Sequence, residues 1–329
     1  MPSRELVRDR LDPGRPSGPV PTRPSRRWRR VVGWATLGVV AATIAVGGMY
    51  GRQILSMLAH RIGAPVRTFP IEPFARTPDV RIAVAGDVGE GEEEEWRTAN
   101  AMDALAREDP YDALLLLGDN VYPDGDPDRL DATVFQPFGM LLRDGTRLLA
   151  ILGNHDVAGG RGLEQIRRLG MPDRWWTVAI GDVRIVGLDS NLVGSEAQVR
   201  FLEDTLASAT ERWKIIAIHE SPYSSGYQGS NLDVRRRFVP LFERYGVQLV
   251  LSGHDHDYQR SRAIDGVTYV VTGAGGRTRG AGEEAFTAAS WSVLSFVDIA
   301  VYADRLELRA VTQDERWFDR VTIAPGPAG

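Results

Sequence analysis

Five short apolar runs constrain the fold of this chain more than any other feature, because each ends at a glycine or a polar cluster. The runs lie at residues 80–85, 113–117, 148–152, 215–218 and 247–251. Continuous apolar runs of this length are typical of strands that are buried on both faces of a sheet. Helix-like stretches lie between several of them, at residues 92–107, 196–207 and 234–245. This alternation predicts an α/β sandwich of mixed sheets covered by helices.

Three pairs of strand-like segments have the spacing of antiparallel hairpins. They are 176–180 with 183–188, 262–264 with 267–271, and 292–301 with 305–312. The turn Asp265-Gly266 of the second pair is the strongest of these signals, because both residues tolerate the positive φ angles of tight hairpin turns. The sequence has no internal repeat, so we predict one domain at residues 80–324 and a flexible tail at 325–329.

Residues 31–50 form a longer apolar segment of a different kind, without a single charge. As a helix that rises about 1.5 Å per residue, it would cross the roughly 30 Å hydrocarbon core of a bilayer. Four arginines precede the segment and one follows it: Arg26, Arg27, Arg29, Arg30 and Arg52. This asymmetry favours a cytoplasmic N-terminus. We therefore predict a single-pass transmembrane anchor with the C-terminal domain on the extracytoplasmic side.

Two alternatives remain for this segment. Ala45, Val46 and Gly47 are small residues that resemble a signal-peptide cleavage site, so the segment could be a cleaved export signal and the protein secreted. The segment could also be a buried helix of a soluble protein. The anchor and the export signal both place the C-terminal domain outside the cytoplasm.

The regions around this segment differ in composition from the predicted domain. Residues 1–30 contain nine arginines and three acidic residues, a net charge of +6, and we predict a disordered tail rich in Arg and Pro. Residues 51–79 contain four prolines and are predicted to be a linker or stalk. Because the whole chain carries −5, residues 31–329 carry −11. This acidic balance argues against nucleic-acid binding.

The polar clusters that follow the five apolar runs are predicted to converge on one site. They read GD at 86–87, GDN at 118–120, GNHD at 153–156, His219, and GHDH at 253–256. Ligands of open α/β sheets bind just beyond the carboxyl ends of the strands, where these clusters lie. Four of the five histidines of the chain belong to the clusters: His155, His219, His254 and His256.

The residue types in these clusters suit metal ions. The chain contains no cysteine, so a metal ion must be held by oxygen and imidazole donors. Asp, Asn, His and the nearby Tyr122 supply such donors, the set preferred by Zn, Mn and Fe. His254 and His256 are two residues apart, so in an extended segment both imidazoles leave from the same face. Each cluster alone could be a structural turn, but together they predict a binuclear metal centre.

The order of the motifs GDVG (86–89), GDNVY (118–122), GNHD (153–156), His219 and GHDH (253–256) resembles the signature of the purple acid phosphatases within the calcineurin-like metallophosphoesterase superfamily. Most members of the superfamily begin with Asp-x-His, but here the third position is Gly89. The purple branch instead uses a Tyr three residues after the second Asp, and Tyr122 has this spacing. GDN-x-Y is especially similar to the tartrate-resistant type. The resemblance implies a four-layer α-β-β-α sandwich of two mixed sheets flanked by helices.

The resemblance also implies two sets of metal ligands that share Asp119. The first set is Asp87, Asp119, Tyr122 and His256, and the second is Asp119, Asn154, His219 and His254. Fe(III) is implied at the Tyr122 site, because a phenolate is a hard anionic ligand, and divalent Fe, Zn or Mn at the second. We expect no other cofactor. A metal-activated hydroxide would attack the phosphorus atom.

A catalytic role is implied for His155. In the family the equivalent histidine contacts the phosphate and assists the leaving group. Many relatives carry a further histidine soon after the one equivalent to His219, but here the following residues, ESPYSSGYQGS, contain none. Leaving-group protonation is therefore expected to depend on His155, and a preference for acidic pH does not follow. Tyr223, within this stretch, is expected to be packed or solvent-facing.

These features predict hydrolysis of phosphate monoesters outside the cytoplasm. Phosphodiesters or nucleotides are alternative substrates, because a metal pair recognises the phosphoryl oxygens that all of them share. A surface binding protein that keeps the fold without turnover is a third interpretation. The expected partners are a phosphate ester and, through residues 31–50, the membrane.

Two further motifs have a structural and a functional interpretation. The acidic run at residues 91–95 is expected to begin a helix, where acidic side chains interact favourably with the dipole, rather than to bind a cation. The glycine-rich stretch 272–277 is expected to be a flexible turn. Its alternative is a backbone nest for phosphate, with Arg277 or Arg279 as anion partner.

Overall fold

The predicted apolar runs all become strands in the computed structural model, which describes residues 66–326. In chain order the strands are β1 (Phe69–Pro70), β2 (Val80–Ala85), β3 (Ala113–Leu116), β4 (Arg147–Ala150), β5 (Trp176–Ile180), β6 (Val183–Leu188), β7 (Trp213–Ile218), β8 (Leu249–Ser252), β9 (Tyr258–Ser261), β10 (Thr268–Thr272), β11 (Thr287–Trp291), β12 (Ser295–Val301), β13 (Leu306–Thr312) and β14 (Arg316–Ile323). The α-helices of the described residues are α1 (Glu93–Ala106), α2 (Gly139–Arg143), α3 (Gly162–Arg168), α4 (Glu196–Ser208) and α5 (Leu232–Arg244).

The strands form two mixed sheets of seven strands each. The order of the first sheet is β1-β14-β13-β12-β2-β3-β4, and that of the second is β11-β9-β10-β8-β7-β6-β5. Strands β2, β3 and β4 are parallel, as are β6, β7, β8 and β10. The remaining strands add antiparallel edges to these parallel centres. Both sheets are therefore mixed, as predicted.

Side chains of alternating strand residues fill three separate apolar layers. Ile82 and Val84 of β2 pack in one cluster with Ile215 of β7 and Leu251 of β8, so this layer lies between the sheets. The opposite face of β2 packs against α1 through residues such as Met102. The outer face of the second sheet is covered in the same way by α4 and α5. Because successive strand residues point to opposite faces, one run of apolar residues serves two layers. The result is the predicted α-β-β-α sandwich.

Two of the longer helices have the side-chain caps that their sequences favour. The side chain of Ser195 accepts a hydrogen bond from the backbone N–H of Gln198 at the start of α4. At the start of α5, the side chain of Asn231 accepts from the backbone N–H groups of Asp233 and Val234. Such caps satisfy N–H groups that have no partner within the helix.

The hairpin predictions are confirmed, with shifted boundaries. Strands β5 and β6 have the predicted bounds and pair antiparallel. Strands β12 and β13 also pair antiparallel, but β12 begins at Ser295 rather than at residue 292. In the second pair, Ile264 and Val267 form a single bridge on either side of the Asp265-Gly266 turn. The strands that pair antiparallel in this region are β9 and β10.

The first sheet extends into the segment that the sequence predicts as a linker. Strand β1 pairs with β14, and the ring of Phe69 stacks on Trp317 with centroids 4.3 Å apart. The predicted tail 1–30, the apolar segment 31–50, and the ends 51–65 and 327–329 lie outside the described residues. Between residues 66 and 326, no helix has both the length and the apolar character that a membrane span needs.

Candidate metal centre

The polar clusters that follow the parallel strands meet at one end of the sandwich. Asp87 follows β2, Asp119 follows β3 and His219 follows β7. One potential ligand atom of each lies within 4.8 Å of the others. All three side chains are buried. Because β7 belongs to the second sheet, the site joins the carboxyl ends of strands from both sheets.

One group of donor atoms surrounds Asp87. Its Oδ1 accepts a hydrogen bond from the Tyr122 hydroxyl at 3.0 Å and lies 3.2 Å from Nε2 of His256. The Tyr122 hydroxyl is 3.2 Å from the same Nε2. A carboxylate, a phenol and an imidazole thus form a small triangle of donors. These are the residues of the first predicted ligand set, apart from the shared Asp119.

A second group surrounds Asp119. Its Oδ2 lies 3.5 Å from Nε2 of His219, and that nitrogen is 3.2 Å from Oδ1 of Asn154. The ring of His254 lies 5.1 Å from that of His219, centroid to centroid. The backbone N–H of His254 donates to Oδ2 of Asp87 at 2.8 Å, which connects the two groups. The structure therefore brings all seven predicted ligands together.

His155, the predicted catalytic residue, lies at the same place but is partly exposed. Its backbone N–H donates to Oδ1 of Asp119 at 2.9 Å, and its ring lies 4.7 Å from that of Tyr122. Nδ1 of His155 is 2.6 Å from the carbonyl oxygen of Pro123. A carbonyl oxygen can only accept, so Nδ1 is the donor and Nε2 remains the atom that can exchange a proton with a ligand.

The backbone of the site contains unusual conformations at three of the predicted ligands. Asp87, Asp119 and His254 have φ angles of 58°, 52° and 69°. Residues other than glycine rarely adopt this left-handed region, and such conformations cluster at functional sites. These backbone conformations change the direction of the side chains at the point where each strand ends.

Several supporting residues were not recognised in the sequence. Asp156 is fully buried and accepts hydrogen bonds from the backbone N–H groups of Gly153 and Asn120, at 2.8 and 2.9 Å. Burial, followed by the negative charge of Asp119, raises the pKa of Asp156 to about 7. Asp156 stands inside the GNHD motif, but the sequence did not indicate that its role is to hold the neighbouring backbone.

A sixth strand end also contributes to the site. After β6 the chain reads Asp189-Ser190-Asn191, and the side-chain amide of Asn191 donates to the carbonyl oxygen of Gly153 at 3.3 Å. The hydroxyl oxygen of Ser190 accepts from the backbone N–H of Glu220, next to His219. This polar cluster follows an apolar run like the other five, so the same pattern would have identified it.

The electrostatics of the site call for a cation. Burial alone would lower the pKa of His219, but the carboxylate of Asp119 outweighs this effect and raises it to about 10. Burial raises the pKa of Tyr122, and the charges of Asp87 and Asp119 raise it further. Among residues 66–326, no Lys or Arg forms an ion pair with either carboxylate. The raised pKa makes His219 the cationic partner of Asp119, and a metal ion that takes over this role would also favour the phenolate form of a ligating tyrosine.

The backbone around Gly89 leaves no space for the histidine of the Asp-x-His motif. A Cβ atom at residue 89 would lie 2.4 Å from the backbone of Asn120 and Val121. A histidine at this position, as in Asp-x-His, therefore cannot fit without movement of the backbone. The donor set of the Asp87 group fits a metal ion with Tyr122 in that place.

The loop after β10 places the positively charged side chain of Arg277 beside the Asp87 group. Nε of Arg277 is 2.9 Å from Nδ1 of His256, and the guanidinium carbon lies 4.5 Å from the centroid of the Tyr122 ring. The prediction of a flexible turn at residues 272–277 is therefore incomplete, because this loop contacts the site. Tyr223, by contrast, packs on Tyr269 with ring centroids 4.6 Å apart, in agreement with a structural role.

Comparison with known proteins identifies the family. The family model described as calcineurin-like phosphoesterase matches residues 80–258, which is more than half of the chain. The chain belongs to the calcineurin-like phosphoesterase family. Its metal centre is of the binuclear type that is typical of this family, and Asp87, Asp119 and His219 are candidate ligands.

Related sequences support the purple acid phosphatase branch of this phosphoesterase family. The chain is 25% identical to purple acid phosphatase 17 of Arabidopsis thaliana over 241 residues, which cover 63% of this chain and 71% of the relative. It is 28% identical to the mouse tartrate-resistant acid phosphatase type 5 over 244 residues, which cover 61% of this chain and 74% of the relative. The predicted resemblance to this branch is confirmed.

Solved structures share the fold of this phosphoesterase. The purple acid phosphatase PPD1 from yellow lupin seeds superposes with a TM-score of 0.65 at 21% identity, covering 74% of this chain and 53% of the lupin chain. GAP50, described as the anchor in the inner membrane complex of Plasmodium, superposes with a TM-score of 0.67 at 16% identity, covering 75% and 89%. At these identities the likeness concerns the fold alone.

Proposed function

We propose that this calcineurin-like phosphoesterase hydrolyses phosphate monoesters at a binuclear metal centre. The observation that carries the proposal is the division of the ligand candidates into two groups, one around Asp87 and one around Asp119. Two metal ions a few ångströms apart are suited to phosphoryl transfer. The names of the relatives, purple acid phosphatase and tartrate-resistant acid phosphatase, support a phosphatase, and hence monoesters as the substrates.

Each group supplies the donors for one ion. Asp87, Asp119, Tyr122 and His256 would hold Fe(III), and Asp119, Asn154, His219 and His254 would hold divalent Fe, Zn or Mn. When bound, the ions would lower the pKa of a water molecule and neutralise charge on the phosphoryl oxygens. The phenol of Tyr122 favours iron at the first position, because a hard anionic oxygen suits a hard cation.

His155 would act on the leaving group. Its Nδ1 donates to Pro123, and its backbone is fixed by Asp119, so Nε2 is the ring atom left for the substrate. In the protonated form of the ring, Nε2 can donate a proton to the departing oxygen. The partial exposure of the side chain agrees with contact to a ligand that enters from solvent.

We further propose that the reaction takes place outside the cytoplasm. The basis is the sequence alone: the uncharged segment 31–50, with four arginines before it and one after it. Residues 1–30 would be the cytoplasmic tail and residues 51–79 the connection to a catalytic domain at 80–324.

A direct assay tests the proposed activity. The purified full-length chain, loaded with iron and zinc, is expected to release nitrophenol faster from p-nitrophenyl phosphate than from bis(p-nitrophenyl) phosphate. Asp119→Asn removes the charge shared by both ligand groups and is expected to lower kcat by at least about a hundredfold, the loss typical of one transition-state contact. Stoichiometric metal content is measured on the same samples.

The assay separates the alternatives. Faster cleavage of the diester would identify a phosphodiesterase of the same fold. A protein that holds two metal ions but cleaves neither ester would support a binding protein without turnover. Activity that survives Asp119→Asn would contradict the binuclear mechanism itself.

A further inference from the structure

Arg277 connects the buried ligand candidates to solvent. Its Nε contacts His256 and its guanidinium lies over the Tyr122 ring, as described above. Its Nη1 is 2.6 Å from Oε1 of Glu90. The side chain is 40% exposed, whereas Tyr122 and His256 are buried. The guanidinium therefore borders both the donor cluster and the space from which a substrate would enter.

The loop that carries Arg277 is fixed against the backbone next to Asp87. The N–H of Gly275 donates to the carbonyl oxygen of Gly86 at 3.2 Å, and the hydroxyl of Thr98 donates to the carbonyl oxygen of Gly275 at 2.7 Å. A Cβ atom at residue 275 would lie 2.7 Å from the Gly86 oxygen, so this close approach requires glycine. Arg277 thus extends from a rigid support, which limits the entropy cost of holding an anion.

The same contacts occupy two donors of the backbone nest that the sequence left open. The N–H of Gly273 donates to the carbonyl oxygen of Asp257 at 3.2 Å, and that of Gly275 is used by Gly86. These donors are therefore not free for a phosphate. A side chain of this loop is therefore the better candidate for binding an anion than a nest that includes these two groups.

The structure also distinguishes the two arginines of the loop. The side chain of Arg279 lies 5.5 Å from the ring centroid of Tyr227, an exposed residue, and only its backbone N–H contacts His256, through the carbonyl oxygen at 2.7 Å. The side chain of Arg277 contacts the ligand candidates directly. Of the two, only Arg277 is placed for contact with a group held at the metal centre.

Coordination by His256 would make the guanidinium available. Nε2 of His256 is the atom that faces Asp87 and Tyr122. A neutral imidazole that coordinates a metal through Nε2 carries its proton on Nδ1. Nδ1 then cannot accept a hydrogen bond from Arg277, and Nε of Arg277 needs another acceptor. An oxygen of a phosphoryl group is a strong acceptor for this planar donor.

We propose that Arg277 binds the phosphoryl group of the substrate through charge-assisted hydrogen bonds, an inference that rests on the proposed function. The guanidinium offers several N–H donors in a fork that matches two phosphoryl oxygens. It would add to the site a contact with the phosphoryl group beside those that the metal ions make. Arg277 is a binding residue in this role, and His155 remains the residue that acts on the leaving group.

Inorganic phosphate is the probe for this role. Its dissociation constant is measured by titration calorimetry on the full-length chain loaded with zinc, with zinc content determined for each sample. Arg277→Ala is expected to weaken phosphate binding by about tenfold or more, the effect of losing a hydrogen bond to a charged group. Arg277→Lys keeps the charge without the fork and is expected to give a smaller loss. Arg279→Ala makes the same charge change in the same loop and is expected to stay within about twofold of the unchanged chain.

Each outcome decides the inference. Unchanged phosphate affinity in Arg277→Ala overturns the inference, because it excludes a contact between Arg277 and phosphate. An equal loss of affinity in Arg279→Ala also overturns it, because it indicates only a general electrostatic effect of positive charge. If Arg277→Ala fails to retain zinc, the phosphate affinity of Arg277→Lys is compared with that of the unchanged chain at equal zinc content. Full phosphate affinity in Arg277→Lys overturns the inference. A chain that binds phosphate through Arg277 but cleaves no ester would refute the proposed function and leave this inference standing.

Discussion

At the scale of single residues, Tyr122 has the largest consequence for the chemistry. Its hydroxyl is within 3.2 Å of both Asp87 and His256, and the backbone at Gly89 leaves no space for the histidine that the wider superfamily uses. Burial and the nearby carboxylates raise its pKa, so only a strong cation would favour the phenolate. The metal at this position and the ionisation of Tyr122 therefore depend on each other.

Substitution of Tyr122 tests this dependence. Tyr122→Phe keeps the ring that packs edge-on against His155 and removes only the oxygen donor. In the iron-loaded protein we expect the variant to lose the visible absorption that a phenolate bound to Fe(III) gives to this family. The measurement is the visible spectrum at equal protein concentration, together with the iron content.

Tyr223→Phe is the matched control for this substitution. Tyr223 packs against Tyr269 and Phe286, and we expect its variant to keep the absorption. An unchanged spectrum in Tyr122→Phe would exclude the purple-type ligand set, although the phosphoesterase assignment would remain.

At the scale of elements, the start of α1 shows a compromise between helix formation and burial. The sequence GEEEE was expected to place negative charge near the helix dipole, and Glu93 and Glu94 do lie in the first turn. Glu95 lies in the same turn but is fully buried, and its Oε2 accepts from the backbone N–H of Gly91 at 2.6 Å. Its Oε1 has no hydrogen-bond partner among the described residues. Burial raises the pKa of Glu95 to about 9.

This raised pKa predicts a stability that depends on pH. The folded protein keeps a proton on Glu95 that the unfolded chain releases above about pH 4.5. The corresponding stabilisation is complete below that pH and is lost as the pH rises toward 9, by at most about 1.4 kcal/mol per pH unit. Glu95→Gln is neutral at every pH and keeps an acceptor for Gly91. We expect this variant to exceed the unchanged chain in free energy of unfolding at pH 8 by at least about 1 kcal/mol, and to differ less at pH 5.

Urea denaturation at the two pH values measures the difference. Glu93→Gln changes the same charge at an exposed position of the same turn and is expected to leave the pH dependence as it is. Equal pH dependence in Glu95→Gln and the unchanged chain would show that Glu95 is ionised in the folded protein.

The sequence predicts strands with a continuous apolar run better than strands of mixed polarity, for a physical reason. Strands such as β3 are buried on both faces, so every residue is apolar and the run is visible in the sequence. Strand β14 mixes buried, half-buried and exposed residues and includes Arg320, and β1 is only two residues long. Neither has a continuous apolar run, and pairing with neighbours in the sheet determines that they are strands.

The site shows the same division between local pattern and tertiary contact. Each metal-ligand candidate follows a strand and was found from its motif. The sequence could not distinguish Arg277 from Arg279 as the anion partner, because the position of Arg277 depends on a loop that approaches Gly86, far away in sequence. Asp156 was present in a motif, but its acceptance of several backbone N–H groups is a property of the folded chain.

At the scale of the whole molecule, the charge of the chain is divided along its length. Residues 1–30 carry +6 and residues 31–329 carry −11. Positive residues next to an apolar segment tend to stay in the cytoplasm, whereas acidic residues contribute little to orientation. The arginines that precede residue 31 therefore predict that the phosphoesterase domain is exported.

External protease tests this orientation in cells that produce the full-length chain with a C-terminal epitope tag. We expect the protease to remove the tag in spheroplasts without lysis, because the domain follows the segment 31–50 on the outer side. Replacing Arg26, Arg27, Arg29 and Arg30 with alanine leaves Arg52 as the nearest flanking charge and is expected to protect a large fraction of the tag.

The same cells distinguish an anchor from a cleaved export signal. An uncleaved anchor keeps the tagged domain in membranes washed with alkaline carbonate, since a helix spanning the hydrocarbon core is not released by removing charge interactions. A cleaved signal instead gives a shorter, soluble form, whose N-terminus near Gly47 is found by mass spectrometry. A tag that stays protected until the membrane is lysed would contradict both possibilities at once. It would place the phosphoesterase domain in the cytoplasm, where the basic N-terminal tail would need a different role.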